Sequence, residues 1–123
     1  MASILLAEDD ESVRAFVTRA LESDGHNVDA AEDGGEAMEI LSREKGAFDL
    51  LLSDIKMPMM DGIALTLNAA RDWPDLKILL MTGFADQRER AYGLEGLVED
   101  IVQKPFTLVD IRKAVARALN SPA

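Results

Sequence analysis

Residues 50–62 read LLLSDIKMPMMDG. Three consecutive leucines leave no polar face, so the run reads as a strand buried on both sides. Strands of a parallel sheet covered by helices are written this way. The run then ends on a carboxylate, Asp54, and passes into a loop. A buried strand that stops on an acid puts a charge at the rim of the sheet, and the rest of the chain decides what meets it there.

The same alternation repeats in both directions. SILLA (residues 3–7), HNVDAA (26–31), LKILLMT (76–82) and DIVQ (100–103) are the other strand-like runs. Helix-like segments separate them. ESVRAFVTRALESDG (11–25) puts Val13, Phe16, Val17, Ala20 and Leu21 on one face and ends at Gly25, a C-terminal cap. GGEAMEILSREKG (34–46) turns Ala37, Ile40 and Leu41 inward. DGIALTLNAARDW (61–73) has Asp61 as N-cap and is stopped by Pro74. DQRERAYGLEGL (86–97) is the weakest helix because of Gly93 and Gly96. TLVDIRKAVARALN (107–120) has Thr107 as N-cap and Leu108, Ile111, Val115, Ala118 and Leu119 on one face. Five strand–helix pairs in strict alternation predict an α/β fold: a five-stranded parallel sheet, order 2-1-3-4-5, with helices on both faces, the flavodoxin-like arrangement. HNVDAA is the most polar strand and belongs at an edge. His26, the only histidine, precedes it and reads as a solvated loop residue.

At 123 residues the chain reads as one domain over 1–123. The net charge of −10 repels phosphate backbones and anionic membranes, so neither nucleic acid nor membrane is an expected partner. No apolar run approaches the roughly 20 residues that cross a bilayer, and MASILLAEDD lacks the basic start of a signal peptide. With no cysteine there are neither disulfides nor thiolate metal sites, in keeping with a cytoplasmic protein.

In such a sheet the ligand site lies beyond the carboxyl ends of the strands. Glu8, Asp9 and Asp10 follow the first strand, Asp54 the third, Thr82 ends the fourth, and Lys104–Pro105 follow the fifth. Three or four converging carboxylates repel one another, and a hard divalent cation, Mg2+, relieves that repulsion. Metal, ammonium and hydroxyl together can hold the oxygens of a phosphoryl group. Asp54, ending the central strand, is the best nucleophile and would form an aspartyl phosphate.

The set AEDD (7–10), LLLSDIKMPMMDG, LLMTG (79–83) and KPF (104–106) resembles the receiver domain of bacterial two-component response regulators, from Ser3 to about Leu119. The resemblance implies that Asp54 is the phosphoacceptor. Glu8 and Asp9 correspond to the acidic metal pair, with Asp9 the direct ligand; Asp10 is the alternative if the register of EDD is one off. Lys56 matches the position whose backbone carbonyl coordinates the metal. Thr82 matches the switch hydroxyl and Lys104 the phosphate-pairing lysine, with a cis Lys104–Pro105 bond. MTGFADQRERA (81–91) and KPFTLVDI (104–111), with no output domain, resemble the stand-alone CpdR-type regulators. The resemblance brings partners with it: a histidine kinase or histidine phosphotransferase upstream, and downstream the ClpX unfoldase of a protease machine, helped by the unphosphorylated form. Such a chain is a phosphoacceptor switch, not an enzyme. Receivers usually carry an aromatic residue three positions before the lysine; Ile101 replaces it here, and Phe84 is the nearest aromatic that would take over the switch.

Three rival readings have their own signatures. A Mg2+-dependent phosphatase with an aspartate nucleophile needs a second acid two residues on, where Lys56 stands. A flavodoxin needs a hydroxyl- and glycine-rich phosphate loop where AEDDES (7–12) stands. A pseudo-receiver that only binds protein would not need the intact acid, threonine and lysine set.

Overall fold

The computed structural model describes residues 2–83, 91, 93–94 and 96–121. Five strands, β1 (Ser3–Ala7), β2 (Asn27–Ala31), β3 (Leu50–Asp54), β4 (Lys77–Thr82) and β5 (Asp100–Gln103), form one sheet in the order β2-β1-β3-β4-β5. Every neighbouring pair is parallel, as the apolar runs required. The described helices are α1 (Glu11–Ser23), α2 (Gly34–Arg43), α3 (Gly62–Asp72) and α4 (Leu108–Leu119). The helix expected over 86–97 falls largely outside the described residues; Ala91 and Leu94 within that stretch are buried in the core.

Strand side chains alternate between faces, so each central strand feeds two cores. Leu5, Leu51, Ile78 and Leu80 pack against Ala37 and Leu41 of α2 and Leu65 and Ala69 of α3. Ile4, Leu6, Leu50, Leu52, Leu79 and Met81 pack against Val17, Ala20 and Leu21 of α1 and Ile111, Val115 and Ala118 of α4. This explains why LLL carries no polar position: both faces of β3 are covered. The outer strands differ. Asp29 and Ala30 of β2 are exposed, as are Asp100 and Gln103 at the two ends of β5.

The helix starts follow the caps read from the sequence. Asp61 accepts from the Ala64 amide, and Gly25 takes a positive φ of 88° just past α1. Thr107 and Asp110 form a reciprocal capping box, with Asp110 N donating to Thr107 Oγ1 at 3.1 Å and Thr107 N to Asp110 Oδ2 at 3.0 Å. Thr107→Ala is therefore expected to cost about 1 kcal/mol, read as a lower urea midpoint with an unchanged slope.

Three expectations need correction. Leu108 is the first residue of α4 and stays exposed. Phe16 is partly exposed and meets Phe106 rather than the core, the rings stacking with centroids 6.5 Å apart. His26 is not merely solvated: its Nδ1 accepts from Ala2 N at 3.1 Å and ties down the start of β1.

Candidate functional site

The site is assembled at the carboxyl ends of β1, β3, β4 and β5. One residue past β1, Glu8 N donates to Ala31 O at 3.1 Å, which keeps the chain beside β2 and sends the Glu8 side chain inward. Glu8 is fully buried. Its Oε2 accepts from Asp10 N at 3.0 Å and its Oε1 from Lys104 Nζ at 2.6 Å. Asp10 turns the other way: its Oδ1 accepts from Ser12 N at 2.9 Å and Val13 N at 3.1 Å, as the N-cap of α1. Asp9, between them, is exposed.

Asp54 closes β3 and is nearly buried, with Lys104 Nζ 3.3 Å from its Oδ2. Lys104 is carried there by the ends of β4 and β5, where Lys104 N donates to Thr82 O at 2.7 Å and the following peptide to Pro105 is cis. Thr82, the last residue of β4, is buried at the same rim. One carboxylate oxygen from each of Glu8, Asp9 and Asp54 lies within 4.8 Å of the other two.

Two backbone approaches hold the loop after β3. Gly62, the first residue of α3, donates its N–H to Ile55 O at 2.7 Å. A Cβ on Gly62 would stand 2.1 Å from the Asp54 carbonyl oxygen, so α3 rests directly on the Asp54 peptide. Gly34, the first residue of α2, lies against the Met60 carbonyl in the same way; a Cβ there would come within 2.0 Å. Met59 between them takes φ +70° with its side chain in solvent.

Burial dominates the electrostatics. It pushes the Glu8 carboxyl up to about 7, against the hydrogen bonds from Lys104 and the Asp10 amide and helped by the charge of Asp54. Burial also raises Asp54, opposed by Lys104 and assisted by Asp9. For Lys104 burial works downward, but the bond to Glu8 and the charges of Asp54 and Glu8 outweigh it, and the ammonium sits above its ordinary value. Glu8 and Asp54 thus share one ammonium, and burial holds both carboxyls above their ordinary range in spite of it. A donor set of three carboxylate oxygens within 4.8 Å of one another fits a hard divalent cation such as Mg2+.

Glu8, Asp9, Asp54, Thr82 and Lys104 are therefore brought together as the strand ends implied. Asp10 is outside the cluster, its carboxylate engaged as a cap, which favours the register with Glu8 and Asp9 as the pair. Lys56 has an exposed side chain in the loop after β3. Ile101 sits on β5 opposite Leu80 and packs against the α2–α3 core. Phe84 lies outside the described residues. The sequence reading missed Arg14, whose Nη1 donates to Glu8 O at 2.9 Å, and Ser53, buried beside Asp54. A lone cation one turn into a helix that opens on acids was the available signal for Arg14; Ser53 gave none.

Among known proteins, the family described as the response regulator receiver domain matches residues 4–116. The response regulator receiver protein CpdR of Brucella abortus (strain 2308) is 41% identical over 119 residues, covering 97% of this chain and 98% of that protein. A response regulator receiver domain protein from Clostridium thermocellum superimposes with a TM-score of 0.88 at 24% identity, over 98% of this chain and 95% of that one. The response regulator TrrA of Thermotoga maritima, in complex with Mg2+ and BeF, superimposes with a TM-score of 0.83 at 26% identity, over 96% of this chain and 99% of that one. A match that spans nearly all the chain, carried on the observed 2-1-3-4-5 sheet, shows that this protein belongs to the response regulator receiver domain family.

Proposed function

We propose that the chain acts as a receiver that takes a phosphoryl group on Asp54 from a phosphohistidine and thereby switches its binding to another protein. The observation that carries this reading is the convergence of Glu8, Asp9 and Asp54 within 4.8 Å, with Lys104 Nζ 3.3 Å from the Asp54 carboxylate. Glu8, Asp9, Asp54 and the Lys56 carbonyl are the groups that would hold Mg2+. The cation, when bound, supplies positive charge against the phosphoryl oxygens.

The remaining work belongs to the side chains. Ionised Asp54 attacks phosphorus with one carboxylate oxygen. The O–P bond forms as the P–N bond to the donor imidazole breaks, and the leaving nitrogen keeps the electron pair and takes a proton. Lys104 exchanges Glu8 for a phosphoryl oxygen. The Thr82 hydroxyl donates to another oxygen and draws the end of β4 toward the new dianion. A coupling of about 1–3 kcal/mol from that movement changes partner affinity 5- to 150-fold.

The high likeness to CpdR over the length of both chains supports the finer reading of a CpdR-type regulator. In that type the partner is the ClpX unfoldase, engaged by the unphosphorylated form and released on phosphorylation. Incubation with phosphoramidate and Mg2+ should add one phosphoryl mass to the intact protein, and none to Asp54→Asn. An adduct that persists in Asp54→Asn, or repeated turnover of a phosphomonoester without an adduct, contradicts the reading. Purified ClpX should be retained by Asp54→Ala and lost from phosphoramidate-treated protein; equal retention removes the partner assignment.

A further inference from the structure

Arg14 is absent from the set of acids, hydroxyl and ammonium that the proposed chemistry uses, yet it is bonded into their scaffold. It lies one turn into α1, with only 18% of its side chain exposed. Its Nη1 donates to Glu8 O at 2.9 Å, and its Nη2 reaches 4.0 Å from Glu32 Oε1 at the start of the β2–α2 connection. Glu32 is mostly in solvent, so that second contact is weak.

The bond to Glu8 O matters because of where the chain turns. Glu8 N is held by Ala31 O, and Asp10 is fixed as the α1 cap, its amide on Glu8 Oε2. Between these two anchors, the Glu8–Asp9 peptide decides how the exposed Asp9 carboxylate is presented to Asp54. Arg14 holds the carbonyl of that peptide. A guanidinium is well matched to such a contact, because its planar fork fixes a direction and its donors carry a charge that strengthens the bond to a carbonyl.

We propose that Arg14 is a positioning residue for cation binding: by holding the Glu8 carbonyl it sets the Asp9 carboxylate at the distance from Glu8 and Asp54 that a divalent cation needs. This inference rests on the reading of the acid cluster as a Mg2+ site. Groups that orient metal ligands from behind typically change affinity 10- to 100-fold when removed.

Charge alone makes the opposite prediction, which gives the test its edge. Arg14 is a cation beside a cation site, so its deletion as a mere charge would tighten Mg2+ binding. Calorimetric titration of the folded chain with MgCl2 should show Arg14→Gln binding about 10- to 100-fold more weakly than the unsubstituted protein. Arg14→Lys, which keeps one donor, should recover part of the loss. Glu32→Gln should bind as the unsubstituted chain does. Equal or tighter binding by Arg14→Gln overturns the inference, and so does an equal loss in Glu32→Gln, which would move the effect to the outer ion pair. Urea midpoints taken alongside separate affinity from stability: a lower midpoint with unchanged Mg2+ affinity also overturns it. If the unsubstituted protein takes up no Mg2+, the metal reading itself falls and the positioning role with it.

Discussion

Gly62→Ala is expected to be among the most damaging single-methyl additions to this protein. The new Cβ would lie 2.1 Å from the Asp54 carbonyl oxygen and 2.9 Å from both its carbonyl carbon and Ile55 Cα. All three are backbone atoms, so no rotamer change relieves the clash. Either α3 must lift off the end of β3, breaking the 2.7 Å bond from Gly62 N to Ile55 O, or the strand end must shift. Overpacking against a yielding side chain costs about 1–3 kcal/mol; against backbone the cost should reach or exceed the top of that range. Typical domains have only about 5–15 kcal/mol to lose. A fall in the urea midpoint of more than about 1 M is expected. Gly96→Ala, where the added carbon meets open space, serves as the control and should change little. A midpoint for Gly62→Ala equal to that of the control would show that α3 does not seat on the Asp54 peptide.

The second large effect is on pH. The Glu8 carboxyl is raised from 4.5 to about 7 in the folded chain. The folded state therefore binds that proton more tightly than the unfolded one. The stability Glu8 contributes is fully present below its unfolded value and is lost as pH rises through about 7. Asp54, also raised, acts in the same sense. Lys104 is raised from 10.5, so its contribution is withdrawn only at alkaline pH. Asp24, Asp72 and Asp110 are lowered by Arg112, Arg71 and Thr107, and they act below their ordinary 3.8. Between pH 5 and 8 the acid cluster decides. With EDTA present, the chain should lose stability from pH 5 to pH 8, by at most about 3 kcal/mol at roughly 1.4 kcal/mol per unit. A divalent cation favours the ionised acids, so millimolar Mg2+ should flatten the profile, and Glu8→Gln should remove most of the slope without it. Stability that is level or rising over this window in EDTA would contradict the burial of Glu8 beside Asp54.

The fold was legible because its signals are local. Apolar runs buried on both faces, Asp61 and Thr107 before helices, and Gly25 after one each act within a few residues. Asp54, Thr82 and Lys104 were legible for a topological reason: parallel strands of similar length end at one rim. What stayed hidden is set by tertiary distance. EDD offers three acids, and only the turn of Asp10 onto the α1 amides shows which two face the site. The Lys104–Glu8 bond joins residues 96 apart and makes Glu8, not Asp54, the nearer partner of the ammonium. Phe16 and Leu108 satisfied the helical period, yet Phe16 meets Phe106 in the loop after β5 and Leu108 is the first residue of its helix, and both stay partly exposed; periodicity gives direction and no depth. The close approach of Gly34 to the Met60 carbonyl has no local signature, because a glycine at the start of a helix is ordinary.

The polar margins of the sheet carry one further consequence. A row of unpaired backbone amides and carbonyls invites a strand from another molecule, and three-leucine runs are the kind of segment that stacks into fibrils. Here such runs occupy the interior lanes, while any intruder at β2 must lie alongside Asp29 and any intruder at β5 alongside Asp100. Burying either carboxylate between chains without a counter-ion would be costly. Each outer strand of the sheet thus carries a charge that opposes pairing with a second molecule.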